Sequence, residues 1–278
     1  MKVDFVKLSP TENMTVIVTS PVEREKQLKT GTELIKYASV NAEQAGFLEK
    51  PKNAGAALAL RMMAGEFCGN GTMSAAVYWA WKNGIKKGES ISVPLEVSGA
   101  DGVLECEVYA VDPENGVFTA EVDMPLPQNI GMGVYEIGGK SLRLPTVKFE
   151  GITHVIVPAD ALGGDAKKIL EDSVYSVGKN IVTDAFGLVL FDEEMMEMTP
   201  LVAVRSAGSL CWERGCGSGS EAGGAHPAEK NRGAPPLMRL RQPGGIIEAT
   251  VDYDGEIENI AIKGTVRIVA EGRAFAED

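Results

Sequence analysis

The chain has 278 residues, enough for two domains with separate cores, and its 44% hydrophobic and 24% charged content is ordinary for a globular protein. A formal charge of −12 with scattered Lys and Arg argues against a nucleic-acid surface, which needs clustered basic residues. No apolar run approaches a membrane span, and Asp4 and Lys7 interrupt any signal-peptide core, so a cytoplasmic location is expected.

Period-two alternation dominates the chain, as in half-buried antiparallel strands. The N-terminal run MKVDFVKLSP and residues 15–19 read as the first strands. Leu34, Ile35, Ala38 and Val40 predict a helix over 31–41. Met73, Ala76, Val77, Ala80 and Trp81, at i, i+3, i+4 spacing, predict another over 71–83. Strands follow at 104–108 and 117–122. The Pro/Gly-rich stretch 125–133 is the expected connection between domains. Beyond it come a strand at 153–157, a helix at 166–176 and a strand at 201–206. The segment 220–231 contains Gly223, Gly224 and Pro227, so a short helix held by packing is expected there. Strands at 246–251 and 265–269 close the chain.

One short pattern occurs twice. Cys68-Gly69-Asn70-Gly71-Thr72 returns about half the chain length later as Cys216-Gly217-Ser218-Gly219-Ser220. Each copy opens a predicted helix. Each is followed about thirty residues on by a glycine, in Ser98-Gly99 or Pro243-Gly244, that leads an alternating strand. This is a two-copy internal repeat, and it implies two halves facing one site.

A helix start leaves N–H groups without intrahelical partners and carries a partial positive charge. Glycines let a ligand approach those N–H groups, which suits a carboxylate. The same field favours thiolate. An amino acid holding its α-carboxylate on the N–H groups of Gly69, Asn70, Gly217 and Ser218 would place its α-carbon between Cys68 and Cys216. One thiolate takes the α-proton while the opposite thiol delivers one to the other face. A lone Cys-Gly-x-Gly is more often a buried small residue before a turn; two copies in corresponding contexts are a much stronger signal.

The other candidates read more plainly. Cys106 alternates on a strand and is expected in the core; Cys211 reads as a buried strand residue. No Cys-x-x-Cys pair is present, and with His154 and His226 as the only histidines no metal is expected. His154 lies in an apolar run and reads as a satisfied core histidine, and His226, before a proline in a polar stretch, as exposed. Gly138-Gly139-Lys140-Ser141 lacks the earlier P-loop glycine, which is Val134 here.

These motifs resemble the diaminopimelate epimerase-like superfamily of cofactor-independent racemases and epimerases over essentially the whole chain. The resemblance rests on Glu66-Phe67-Cys68-Gly69-Asn70-Gly71, Trp212-Glu213-Arg214-Gly215-Cys216-Gly217-Ser218-Gly219, Asn13, Glu43-Gln44-Ala45-Gly46-Phe47 and Gln242-Pro243-Gly244-Gly245. It implies an α+β fold of two pseudo-symmetric domains, each a curled, mostly antiparallel, barrel-like sheet around a central helix. The domains would be 1–130, joined by the returning strand 265–278, and 131–264. It makes Cys68 and Cys216 the two catalytic bases, with Gly69, Asn70, Gly217 and Ser218 on the α-carboxylate and Asn13, Gln44 and Glu213 as further substrate contacts.

The distal asparagines of diaminopimelate epimerases match Met63, Ile152 and Gly187, none of which can hold a distal amino acid group. The details are closer to the histidine racemase branch. The resemblance therefore implies a pyridoxal-independent amino-acid racemase, with histidine the best single substrate, no cofactor, and a monomer or homodimer with no nucleic-acid or membrane partner. Alternatives are diaminopimelate epimerisation, with Arg214 meeting a distal carboxylate, proton-shifting isomerisation of another carboxylate on the same fold, or redox sensing by the two thiols.

Overall fold

The structure, a computed structural model, describes residues 1–206, 208–232 and 237–277; the last residue of the expected returning strand, 278, lies outside them. Two compact units are present. Met1–Asp123 and the strand residues from Ile262 onward form one, and Met124–Ala261 the other.

In the first unit, β1 (Lys2–Pro10), β2 (Thr15–Val18), β3 (Gln44–Glu49), β4 (Leu58–Met62), β5 (Ser90–Val97), β6 (Leu104–Asp112) and β7 (Val117–Asp123) pair in chain order. The final strand, β16 (Ile257–Phe275), pairs with β7 and also runs antiparallel to β1, with Lys2 opposite Phe275. Most neighbours are antiparallel. The exceptions are β2–β3 and β4–β5, which are parallel. A parallel link needs a crossover, and helices supply both: α1 (Arg24–Ile35) between β2 and β3, and α2 (Gly69–Lys82) between β4 and β5.

The second unit repeats this order. β8 (Asn129–Ile137), β9 (Lys140–Lys148), β10 (Ile152–Pro158), β11 (Ala185–Asp192), β12 (Glu197–Val204), β14 (Met238–Gln242), β15 (Gly245–Tyr253) and the start of β16 are successive neighbours. The short β13 (Ser209–Trp212) pairs with β12 off this path. The parallel links again fall at the crossovers, β10–β11 around α3 (Ala166–Gly178) and β12–β14 around α4 (Gly217–Asn231). The duplication read from two cysteine motifs thus extends to the position of these parallel links.

The two cysteine helices are the most deeply packed of the four. α2 touches every strand from β1 to β7, and Met73, Ala75, Ala76, Val77 and Ala80 are fully buried on it. Burying a side chain such as Met73 contributes about 1.5–3 kcal/mol. α4 packs against β8 to β11, β14 and β15 through Ala222, Ala225 and Ala228, beside Met198, Leu240, Ala249 and Val251. A second core lies under α3, built from Leu170, Val174 and Val177 with Val155, Leu188 and Leu201.

Two predicted helices need correction. The helix expected over 31–41 is Arg24–Ile35 instead. Its buried face is Gln27, Thr30, Gly31 and Leu34, at i, i+3, i+4, i+7, so three of the four inward positions carry no apolar signal. It ends at Lys36, whose ψ of 145° is extended, and the next turn folds back through Val40 N–H on the Leu34 carbonyl. The helix expected to be short, at 220–231, is the fifteen-residue α4. Its glycines cost propensity but let strands come close: Gly223 faces Leu240, and Gly224 faces Met238, Val251 and Ala249. Tertiary packing outweighs intrinsic preference here. Gly138-Gly139 forms the β8–β9 hairpin turn, with φ of +58° and +74°, which accounts for that glycine pair.

Candidate active site

Both repeated cysteines are helix N-caps with extended backbone, Cys68 at φ −145°, ψ 110° and Cys216 at φ −107°, ψ 114°. The hydrogen bonds match residue for residue. Gly71 N–H donates to Cys68 Sγ and Gly219 N–H to Cys216 Sγ, each at 3.3 Å. Thr72 donates its backbone N–H and its hydroxyl to the Cys68 carbonyl, at 2.8 and 2.9 Å. Ser220 does the same to the Cys216 carbonyl, at 3.0 and 2.7 Å. The hydroxyl after each motif is therefore structural. Gly69 and Gly217 are buried in the first helical turn, where N–H groups have no intrahelical acceptor.

The second glycine of each motif has a packing cause. A Cβ on Gly71 would stand 2.7 Å from Met62 Sδ, and one on Gly219 would stand 3.1 Å from Cys216 Sγ and 3.3 Å from Met198 Cε. Met62 ends β4 and Met198 lies on β12, the corresponding strands of the two units. Each methionine packs under its cysteine helix where a side chain would otherwise sit.

In the first unit the structure brings Asn13, Gln44 and Cys68 into one hydrogen-bonded chain. Cys68 Sγ donates to Gln44 Oε1 at 3.0 Å, Gln44 Nε2 donates to Thr15 Oγ1 at 2.8 Å, and Thr15 Oγ1 donates to the Asn13 carbonyl at 3.3 Å. Glu43 closes the loop from outside, its N–H on the Met14 carbonyl at 2.8 Å and its carboxylate on the Met14 N–H. Asn13 follows a turn in which Thr11 and Glu12 both have positive φ, 45° and 59°. Such backbone costs about 1–3 kcal/mol per residue and persists only where its surroundings impose it. Asn13 is buried, and its side-chain Oδ1 has no hydrogen-bond partner among the described residues. Asn70, also buried, sits in the first turn of α2.

In the second unit Glu213, Cys216 and Ser218 come together. The Glu213 carboxyl neighbours the Cys216 thiol, and burial pushes its pKa up to about 7 even though part of the residue remains exposed. Burial first, and then the neighbouring Glu213 charge, push the Cys216 thiol well above the usual range; the Gly219 N–H and Ser218 hydroxyl oppose this. Ser218 Oγ lies 3.7 Å from Cys216 Sγ and 2.9 Å from His154 Nε2. Gln242 anchors the loop, taking the Cys216 N–H on Oε1 at 2.8 Å and donating Nε2 to Ser220 Oγ at 2.6 Å.

The glycine turns found in the repeat brace both cysteine loops. Ser98 Oγ donates to the Glu66 carbonyl at 2.7 Å, and Gly244 N–H donates to the Arg214 carbonyl at 2.7 Å. Arg214 itself donates to the Pro243 carbonyl at 3.1 Å.

His154 departs from its sequence reading. It is in the core, but Nδ1 has no partner among the described residues and Nε2 bonds a candidate site residue. Burial lowers its pKa to about 4, so the ring is neutral near pH 7. Gly187 lies opposite it in the β10–β11 register, and a Cβ there would stand 2.3 Å from His154 Nδ1. The absent side chain at 187 is what admits the ring. Met63 is packed against Gly31 of α1, and Ile152 begins β10.

Cys211 is exposed, not buried, because β13 joins β12 off the main strand path and has no buried face. His226 is half-buried, because α4 continues through it and Pro227. Cys106 is fully buried on β6, and burial raises its pKa. Thr15 and His154 carry no site signal in the sequence, whereas Gln242 lies in a motif of the resemblance. Thr15 and His154 sit in ordinary strand patterns; Gln242, next to Pro243-Gly244, had a local signal.

Comparison with known proteins defines the class. A probable proline racemase from Agrobacterium radiobacter K84, solved with bound carbonate, superposes with TM-score 0.73 over 99% of this chain and 93% of its own, at 11% identity. That likeness gives the fold, a mixed α/β architecture of mostly sheet with four helices among the described residues. The histidine racemase of Staphylococcus aureus (strain Mu50 / ATCC 700699) is 27% identical over 99% of this chain and 98% of its own. The histidine racemase of Fusobacterium nucleatum subsp. nucleatum (strain ATCC 23726 / VPI 4351) is 30% identical over 98% and 97%. The protein is an isomerase of the racemase and epimerase class, acting on an amino acid. The profile described as "Histidine racemase CntK N-terminal domain" matches residues 2–275, and the chain belongs to that family.

Proposed function

We propose that the chain racemises free histidine without a cofactor, Cys68 and Cys216 being the two acid–base groups. The matched N-cap geometry of the two cysteines is the observation that supports it most directly. Nearly full-length similarity to two histidine racemases supports the substrate. In the forward direction Cys216 passes its proton to Glu213 and, as thiolate, takes the α-proton of the amino acid. The electron pair left on the α-carbon takes the Cys68 proton on the opposite face, leaving Cys68 as thiolate. First-turn N–H groups of Gly69, Asn70, Gly217 and Ser218 hold the α-carboxylate and stabilise the charge that builds on it. Asn13, Gln44 and Glu213 contact the substrate. The same reading takes each sheet as curled and barrel-like around its cysteine helix, supported in the first unit by β16 pairing with both β7 and β1.

The test is racemisation of L-histidine in D2O without added cofactor or metal, followed by chiral chromatography and mass spectrometry, beside a panel of L-amino acids and diaminopimelate. Deuterium should appear at the α-carbon of histidine. Cys68→Ser and Cys216→Ser should each lower turnover about a thousandfold or more. Full activity in either variant, or preference for another substrate, overturns the corresponding part.

A further inference from the structure

The two cysteines share their N-cap geometry but not the groups beyond it. The geometry points to Thr15 as a positioning residue that sets the hydrogen-bond polarity at Cys68, making Cys68 the thiol that still holds its proton before turnover. This rests on the two-cysteine reading above.

A backbone carbonyl only accepts, so the Asn13 carbonyl takes the single hydroxyl proton of Thr15, at 3.3 Å. With that proton committed, Thr15 Oγ1 offers Gln44 only lone pairs. The Gln44 group 2.8 Å away must then be its NH2, and the other end of the same amide, Oε1, faces Cys68 Sγ at 3.0 Å. An amide oxygen accepts and does not donate, so the partner it selects is S–H. A thiolate in that place would oppose a carbonyl dipole.

The register makes the arrangement stable. β2 and β3 run parallel with Thr15 paired to Gln44, and Thr15 is fully buried, so the hydroxyl has no water to turn to. The corresponding parallel pair in the second unit, β10 and β11, is built differently. There the residue that reaches towards the cysteine helix is His154 on the first strand of the pair, opposite Gly187, and it stops at Ser218. Cys216 neighbours the Glu213 carboxyl, a group able to take its proton, whereas the amide oxygen at Cys68 cannot. The duplicated halves therefore present unequal thiols, and the inequality on the Cys68 side traces to one hydroxyl.

The experiment compares wild type, Thr15→Val and Thr15→Ser, all full length. Each is treated with iodoacetamide near neutral pH, and alkylation is followed at each cysteine by peptide mass spectrometry. Valine removes the hydroxyl at nearly constant shape and frees the Gln44 amide to turn its NH2 towards sulfur. Cys68 should then be alkylated about tenfold faster, the worth of one hydrogen bond to a charged group. The pH profile of kcat/KM should move about one unit towards lower pH. Alkylation of exposed Cys211 should not change, and Thr15→Ser should behave as wild type. Thr15→Ala removes the same hydroxyl without adding volume and should give the valine result should the valine variant fail to fold. Unchanged Cys68 alkylation in a folded Thr15→Val or Thr15→Ala protein, or a Thr15→Ser protein that behaves like them, overturns the assignment. Activity retained by Cys68→Ser would instead defeat the two-cysteine reading and leave the alkylation comparison to judge the role of Thr15 by itself.

Discussion

Gly187→Ala adds one methyl group, and the structure says what it meets. The new Cβ would stand 2.3 Å from His154 Nδ1 and 2.7 Å from Cε1, about 1 Å inside ordinary contact. The backbone cannot yield easily, because β11 is paired to β10 on one side and to β12 on the other, with Gly187 opposite His154 and Val202. The ring must move instead, and it is fully buried with, among the described residues, one hydrogen bond, 2.9 Å to Ser218 Oγ. Overpacking of this kind costs about 1–3 kcal/mol, and stranding Nε2 as well adds about 1 kcal/mol. The expected loss is about 2–4 kcal/mol, read in urea as a lower midpoint at unchanged m-value. Racemase activity should fall as well, since Ser218 loses the partner that holds it beside Cys216. The decisive measurement is the double-mutant cycle. With the ring removed by His154→Ala, Gly187→Ala should become neutral, or stabilising by about 0.4–1 kcal/mol through the unfolded chain. If Gly187→Ala costs the same in both backgrounds, the ring is not what the glycine accommodates and the reasoning fails.

Two further outcomes test buried features near the cysteines. Glu221 is buried on α4, its Oε1 has no hydrogen-bond partner among the described residues, and burial raises its pKa well above the usual carboxylate range. A group raised in this way contributes stability that is fully present below about pH 4.5 and is lost as pH rises towards its folded value, at up to about 1.4 kcal/mol per pH unit. Glu221→Gln does not titrate, so its stability should match wild type in acid and exceed it increasingly above that; parallel curves from about pH 4 to about pH 8 in urea would refute the assignment. Gly99 and Gly102 have nearly equal positive φ, 73° and 75°, but a Cβ at 99 would stand 2.2 Å from the Phe67 nitrogen while one at 102 meets nothing within 4 Å. Gly102→Ala should cost about 1 kcal/mol from strain with activity retained. Gly99→Ala should cost at least about 2 kcal/mol more and displace the loop that carries Cys68. Equal unfolding midpoints and equal turnover for the two variants would show that this turn does not brace the cysteine.

The sequence by itself determined the parts of this protein that repeat locally. Two Cys-Gly-x-Gly motifs, the helices they open and the glycine-led strands after them were legible because each feature lies within a few residues and each occurs twice. The helix at α2 was readable from its own apolar spacing. Tertiary structure decided the rest. α1 was displaced in the reading because its buried face uses Gln27, Thr30 and Gly31, and a face built from polar and small residues carries no hydrophobic period. α4 extends through Gly223, Gly224 and Pro227 because strands packed around it supply what propensity lacks. The second glycine of each motif, Gly71 or Gly219, leaves room for Met62 or Met198 on a neighbouring strand, a contact no local pattern announces. Thr15, His154 and Gln242 reach the cysteine loops only through strand register and crossover. Which side chain stands beside a thiol is set by how strands align across a sheet, and pairing between distant segments leaves no local pattern in the chain.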